Sequence, residues 1–265
     1  MSDDSPWAST PSAHRDAVVA ETARLVALVQ GANLATPVPS CPGWTLLDLV
    51  RHTGSVQRWF SVLLRQRVRT PPRSREVELR LPAHEDGYAD WLTASSAEAA
   101  AAFAETDPGA PMWAWGADQH ARFWMRRMLF ETLVHRVDGQ LALGHRPVID
   151  PGLAVDGIDE FLVNLPFAAS FAPGIAYLRG DGETIRFRCT DRDGGWLVRL
   201  RSDDFVIERL TEAGAGKDAA VDAAVNGASA DLLLLLYGRL DRASDAFETS
   251  GDDDLLLRWF ANSAF

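Results

Sequence analysis

Residues 124–135 read Trp124-Met125-Arg126-Arg127-Met128-Leu129-Phe130-Glu131-Thr132-Leu133-Val134-His135. Trp124, Met128, Glu131 and His135 recur at intervals of four, three and four, the spacing that keeps side chains on one face of an α-helix. This periodicity predicts a helix from about residue 117 to 143, closed at Gly144. Upstream the same rhythm returns three times. Val18, Thr22, Leu25, Val26 and Val29 predict a helix over about 12–30, ended at Gly31. Leu49, His52, Val56, Trp59 or Phe60, and Leu63 form the inward line of a second. Tyr88, Trp91, Leu92 and Phe103 mark a third over about 85–105. Thr45 with Asp48 three residues on is a capping-box variant that starts the second helix. Pro37, Pro39 and Pro42 hold an extended loop before it. Four amphipathic helices with no strand signal between them predict a four-helix bundle over residues 1–150.

Beyond Pro147 and Pro151 the pattern changes. Thr184 to Thr190 alternates polar and apolar residues, as a half-buried strand does. Asp193-Gly194-Gly195 reads as a turn into a second strand, Trp196 to Arg201, and Phe205 to Leu210 continues as a third. A glycine-bearing loop is expected next, then a helix from about Ala228 through the leucine run and a last helix near Asp253 to Phe260. Residues 151–265 are therefore expected to form a small α+β domain.

Composition narrows the classes. Among 265 residues, Lys+Arg number 26 and Asp+Glu 37, a formal net charge of −11 that disfavours a nucleic-acid partner. The longest apolar run, Leu232 to Tyr237, is too short to span a bilayer. Cys41 and Cys189 give no disulfide framework, and Met1 to Pro6 lacks the basic and apolar parts of a secretory signal. A cytoplasmic, soluble protein with no membrane and no nucleic-acid partner is expected; its oligomeric state is left open. No Gly-x-Ser-x-Gly elbow supports a serine hydrolase. Thr211 to Asp218 ends in Gly216-Lys217 like a phosphate loop, but its first and last positions carry the wrong residues.

The chemistry converges on three side chains. Glu131 and His135 lie one above the other on an otherwise apolar face, and His52 interrupts the inward line of the second helix. Two histidines and one carboxylate form a known catalytic zinc set, with a fourth position left for water or substrate, and bundles build metal sites from inward side chains on facing helices. The alternative is a structural one: an inward histidine is commonly satisfied by a hydrogen bond, and a Glu–His pair four apart is ordinary on a helix. Against it stands the cost of burying Glu131 without a cation or a hydrogen-bonded partner.

Ser40-Cys41-Pro42-Gly43-Trp44-Thr45, followed by Asp48-Leu49-Val50-Arg51-His52 and Arg58-Trp59, resembles the N-terminal signature of the mycothiol-dependent maleylpyruvate isomerase family. Glu131 to Asp138 resembles that family's second metal motif, in which a tryptophan often stands where this chain has Val137. Val225 to Asp231, with the leucine run and Tyr237-Gly238-Arg239-Leu240, is similar to its C-terminal domain. The resemblance implies a DinB-like helical bundle that binds a divalent metal, usually zinc, joined to a sterol-carrier-like domain. It carries the ligand roles onto His52, Glu131 and His135. It further implies mycothiol as thiol cosubstrate, with its sulfur in the metal's open position, where a coordinated thiol is deprotonated. The thiolate would then add to a small electrophile. For a cis-unsaturated acid, rotation about the new single bond and loss of the thiol leave the trans isomer; retention of the sulfur is S-transfer. A non-catalytic protein that keeps the fold and holds a metal or an apolar ligand is the second reading.

Other residues carry weaker expectations. Asp138, one turn beyond His135, orients that imidazole or is solvated. Arg239 and Arg258 are candidates for holding a substrate carboxylate. Arg65, Arg67, Arg69, Arg73, Arg75 and Arg80 form a basic run that either draws in an anion or is a solvated loop. Cys41 is expected to be structural. His14, His84, His120 and His145 are expected to be exposed.

Overall fold

In the computed structural model, which describes residues 5–72, 77–210 and 220–263, Thr45 opens the helix that carries His52. Its side chain accepts from the Asp48 amide while Asp48 accepts from the Thr45 amide, a complete capping box. A cap of this kind stabilises a helix by about 1 kcal/mol. The helices of the first unit are α1 (Pro11–Val29), α2 (Leu46–Gln66), α3 (Tyr88–Ala104) and α4 (Ala121–Ala142). A single 3-10 turn, Glu85–Gly87, leads into α3, and α4 begins four residues later than its periodicity predicts. Both α1 and α2 pack against α3 and α4, so α2 and α4 are neighbours. Leu25, Val29, Leu46, Leu49, Val50, Trp91 and Leu92 form one buried cluster among them.

Helix α4 is not the one-sided amphipathic element its spacing predicts: sixteen of its 22 residues are buried, Arg127, Arg136 and Asp138 among them. Its charges are answered inside. Arg136 Nε donates to Glu21 Oε2 of α1 at 2.7 Å, with both side chains 2% exposed. Gln57 of α2 donates to Thr22 of α1 at 2.9 Å and to Thr132 of α4 at 3.3 Å. These directional contacts fix the rotation of α4, because Arg136 pointing at α1 turns its neighbours Glu131 and His135 toward α2.

The chain divides at Pro147 and Val148 into two units. Residues 5–8, read from the sequence with the first domain, belong to the second, where the Trp7 ring lies 4.9 Å from that of Trp196. The second unit contains a five-stranded mixed sheet in the order β3-β2-β1-β4-β5, from β1 (Thr184–Cys189), β2 (Gly195–Leu200), β3 (Phe205–Arg209), β4 (Ala223–Gly227) and β5 (Phe247–Gly251). Strands β1 and β4 pair in parallel, with Phe187 opposite Val225, and the other pairs are antiparallel. Helices α5 (Pro151–Asn164), α6 (Ser229–Leu236) and α7 (Asp253–Asn262) complete it, with 3-10 turns at Leu165–Ser170 and Pro173–Tyr177.

The α+β expectation holds, and three elements are additional to it. Helix α5 was hidden by Asp156, Asp159 and Glu160, which are all buried and interrupt the apolar face that a sequence pattern needs. Asp159 ties α5 to the sheet, accepting from Trp196 at 3.0 Å and from two nitrogens of Arg209 at 2.6 and 2.9 Å. Strand β4 is an interior Ala/Val/Asn segment, poor in the residues that favour strands. Strand β5 is polar and nearly all exposed. No described helix is long and apolar enough to cross a membrane. Residues 211–218, the phosphate-loop lookalike, lie outside the described residues.

Candidate metal centre

Loop 30–45 and helices α2 and α4 build the site. The proline-bracketed loop is folded back on itself by Val38 N to Trp44 O at 2.9 Å and Trp44 N to Cys41 O at 3.0 Å, with Gly43 at φ +84° closing the turn. It presents Ser40, Cys41 and Trp44 to α4. From α2 comes His52, and from α4 come Glu131 and His135.

The three expected ligands meet. His52 Nε2 lies 2.9 Å from Glu131 Oε1, and His135 Nε2 lies 3.3 Å from the same oxygen. One ligating atom from each residue falls within 4.8 Å of the others. The imidazoles meet edge to face at 4.8 Å. Trp44 packs on both rings, 4.9 Å from His52 and 5.9 Å from His135. Side-chain exposure falls from 33% at His52 through 25% at Glu131 to 11% at His135. Glu131 is therefore half-buried, not sealed in the core as its place on an apolar face predicts, and the cluster opens to solvent on the His52 side.

Beneath the cluster Asp138 is fully buried and not solvated. It accepts from Ser40 Oγ at 2.6 Å, from Cys41 Sγ at 3.4 Å and from His135 Nδ1 at 2.9 Å. That last contact assigns the His135 proton to Nδ1 and leaves Nε2 to face Glu131. Arg127, one turn before Glu131, donates from Nη2 to Glu131 Oε2 at 3.1 Å. Electrostatics follow from these contacts. Burial works to raise the Glu131 carboxyl, but hydrogen bonds from His135 and His52 and the charges of His135 and Arg127 hold it well below the usual carboxylate range. Burial likewise opposes charge on His135, yet Asp138, Cys41 and Glu131 raise its affinity for a proton well above the ordinary imidazole value. The pocket between Glu131 and the two Nε2 atoms thus favours positive charge.

A second group of possible ligands, Cys41, His135 and Asp138, shares His135 through its other nitrogen. Its carboxylate is already engaged by three donors. In the first group a single carboxylate oxygen faces two imidazole nitrogens, a set of donors able to hold a divalent cation.

Two family profiles match the chain in order: the mycothiol maleylpyruvate isomerase N-terminal domain over residues 15–139, and the MDMPI C-terminal domain over residues 152–258. The chain belongs to the mycothiol maleylpyruvate isomerase family. Among solved structures it is similar to the mycothiol-dependent maleylpyruvate isomerase and to a His→Ala mutant of it. Each has a TM-score of 0.58 and 14% identity, over 91% of this chain and 93% of the other; at that identity the likeness is one of fold. No curated protein matches the chain.

The remaining expectations fall elsewhere in this family member. Arg239 and Arg258 both belong to the C-terminal unit. Arg239 donates from Nη1 to Tyr237 O at 2.6 Å, and Arg258 pairs with Glu183 at 3.2 Å. In the basic run, Arg65 faces Glu105 at 3.6 Å and Arg80 faces Glu78 at 3.5 Å, so these two are answered locally; Arg73 and Arg75 lie outside the described residues. His14 is buried at 3% exposure, against expectation, because it sits on the inward side of α1 with Val18 and Leu25. Sequence reasoning passed over Arg127 and Trp44 as site residues. Arg127 stands four residues before Glu131, a spacing that identifies a facing pair.

Proposed function

We propose that this chain is a metal-dependent, mycothiol-using isomerase of small cis-unsaturated acids, with His52, Glu131 and His135 as the ligands of one divalent cation, zinc by the family resemblance. The observation that carries the reading is the convergence of one carboxylate oxygen and two imidazole nitrogens, from two helices, within 4.8 Å. A cation bound there supplies Lewis acidity that keeps a thiol deprotonated at neutral pH.

The protein's own groups do the rest. His52 and His135 would each offer one ring nitrogen to the ion, and Asp138 orients the His135 ring through Nδ1. Glu131 contributes negative charge, so the three ligands hold a divalent ion tightly while leaving net positive charge to attract a thiolate. Trp44 covers one side of both imidazoles and limits water on that side. Thiol addition, bond rotation and thiol loss need no proton relay from a protein cysteine, consistent with Cys41 being engaged by Asp138.

The test is conversion of a maleylpyruvate-type cis acid to its trans isomer, followed by absorbance with and without mycothiol. Activity is expected only with the thiol, and His52→Ala is expected to abolish it. Thiol consumed stoichiometrically into a stable adduct would instead assign S-transfer. Metal-loaded protein that neither binds the thiol nor turns over would assign the non-catalytic reading.

A further inference from the structure

Glu131 uses its two oxygens differently. Oε1 faces both imidazoles, at 2.9 Å from His52 and 3.3 Å from His135. Oε2 points the other way, to Arg127 Nη2 at 3.1 Å. Arg127 is 8% exposed along its side chain and its guanidinium is permanently charged, so the contact is a sheltered, charge-assisted hydrogen bond. A carboxylate on a divalent ion binds through one oxygen or through both, and the choice changes the coordination number by one.

We infer that Arg127 is a positioning residue that restrains Glu131 to one-oxygen ligation and so keeps a coordination place open for the thiol. The inference rests on the metal-ligand reading of His52, Glu131 and His135. Without Arg127, Oε2 loses its donor, the carboxylate rotates about its last torsion, and its second oxygen competes with sulfur for the same place. The spacing of four along α4 makes the restraint part of the helix itself: Arg127 and Glu131 lie on one face, and Gln57 bridging Thr22 and Thr132 ties α4 to α1 and α2.

The experiment loads the full-length protein with Co2+ and records its visible spectrum, whose ligand-field bands are strong for four-coordinate and weak for five-coordinate cobalt. Wild type is expected to give the strong, four-coordinate bands. Arg127→Met is expected to give weakened bands and an affinity for thiol, read from the sulfur-to-cobalt charge-transfer absorption, reduced on the order of tenfold or more. Arg127→Lys, which keeps a cationic donor, is expected to restore both toward wild type. A wild-type spectrum of the weak kind overturns the proposal, and that result needs no variant to fold. An Arg127→Met spectrum and thiol affinity superimposable on wild type also overturn it, while leaving the metal centre intact. Wild type that takes up no cobalt overturns the metal-ligand reading and this inference with it.

Discussion

Asp138 is where one side chain decides the usefulness of another. Its carboxylate accepts a hydrogen bond from His135 Nδ1 at 2.9 Å, which turns Nε2 toward Glu131 Oε1, 3.3 Å away. Outer partners of this kind typically affect metal affinity by about 10–100-fold, so Asp138→Ala should weaken metal binding by that order in a chelator competition while far-ultraviolet circular dichroism stays unchanged. An unaltered affinity would remove Asp138 from the account. The ligands themselves were legible in the sequence because α-helical spacing places Glu131 over His135 and because His52 breaks an apolar line. Arg127 and Trp44 were not. The spacing of Arg127 to Glu131 reads as an ordinary helical pair and does not by itself mark a site residue, and Trp44 sits in a proline-rich loop whose path no periodicity reveals.

Among the elements, α2 depends on close approach as well as capping. A Cβ built on Gly54 would lie 2.3 Å from Trp91 Cζ3, and Trp91 is held by its Nε1 bond to Leu79 O at 2.7 Å and by Arg58 over its ring. Overpacking costs about 1–3 kcal/mol, against a helix-propensity gain of about 1 kcal/mol for Gly→Ala. Gly54→Ala should therefore lower the urea midpoint; a midpoint equal to or above wild type would show that the ring moves freely. In the sheet, Thr184 donates from its hydroxyl and its amide to Asp222 at 2.8 and 2.7 Å, joining the start of β1 to the residue before β4. The Thr184 hydroxyl and amide hold the Asp222 carboxyl below its usual value. A depressed folded value adds stability above the unfolded value of about 3.9, and that stability is lost as pH falls through the folded one. Asp222→Asn should accordingly flatten the acid limb of the stability curve, measured by urea midpoints from pH 6 to pH 3; an unchanged limb would refute it. The four N-terminal helices and three of the five strands were readable because their faces alternate with the right period. Helix α5 was not, since its buried acids answer partners such as Arg209 that lie far away in sequence.

For the molecule as a whole, family membership and the α-plus-α+β division were visible in motifs spread from Ser40 to Leu240. The ion pair of Arg136 with Glu21 and the bridge made by Gln57 emerged only from the packed bundle, and they turn two helical patterns into one site. The central claim is that His52, Glu131 and His135 grip a single divalent cation. It is tested most directly by elemental analysis of the purified full-length protein from metal-replete cells, beside His52→Ala prepared identically. The account predicts about one zinc-class ion per wild-type chain and a marked loss from the folded variant. Folded wild type without metal, or a variant that keeps its full equivalent, would contradict it.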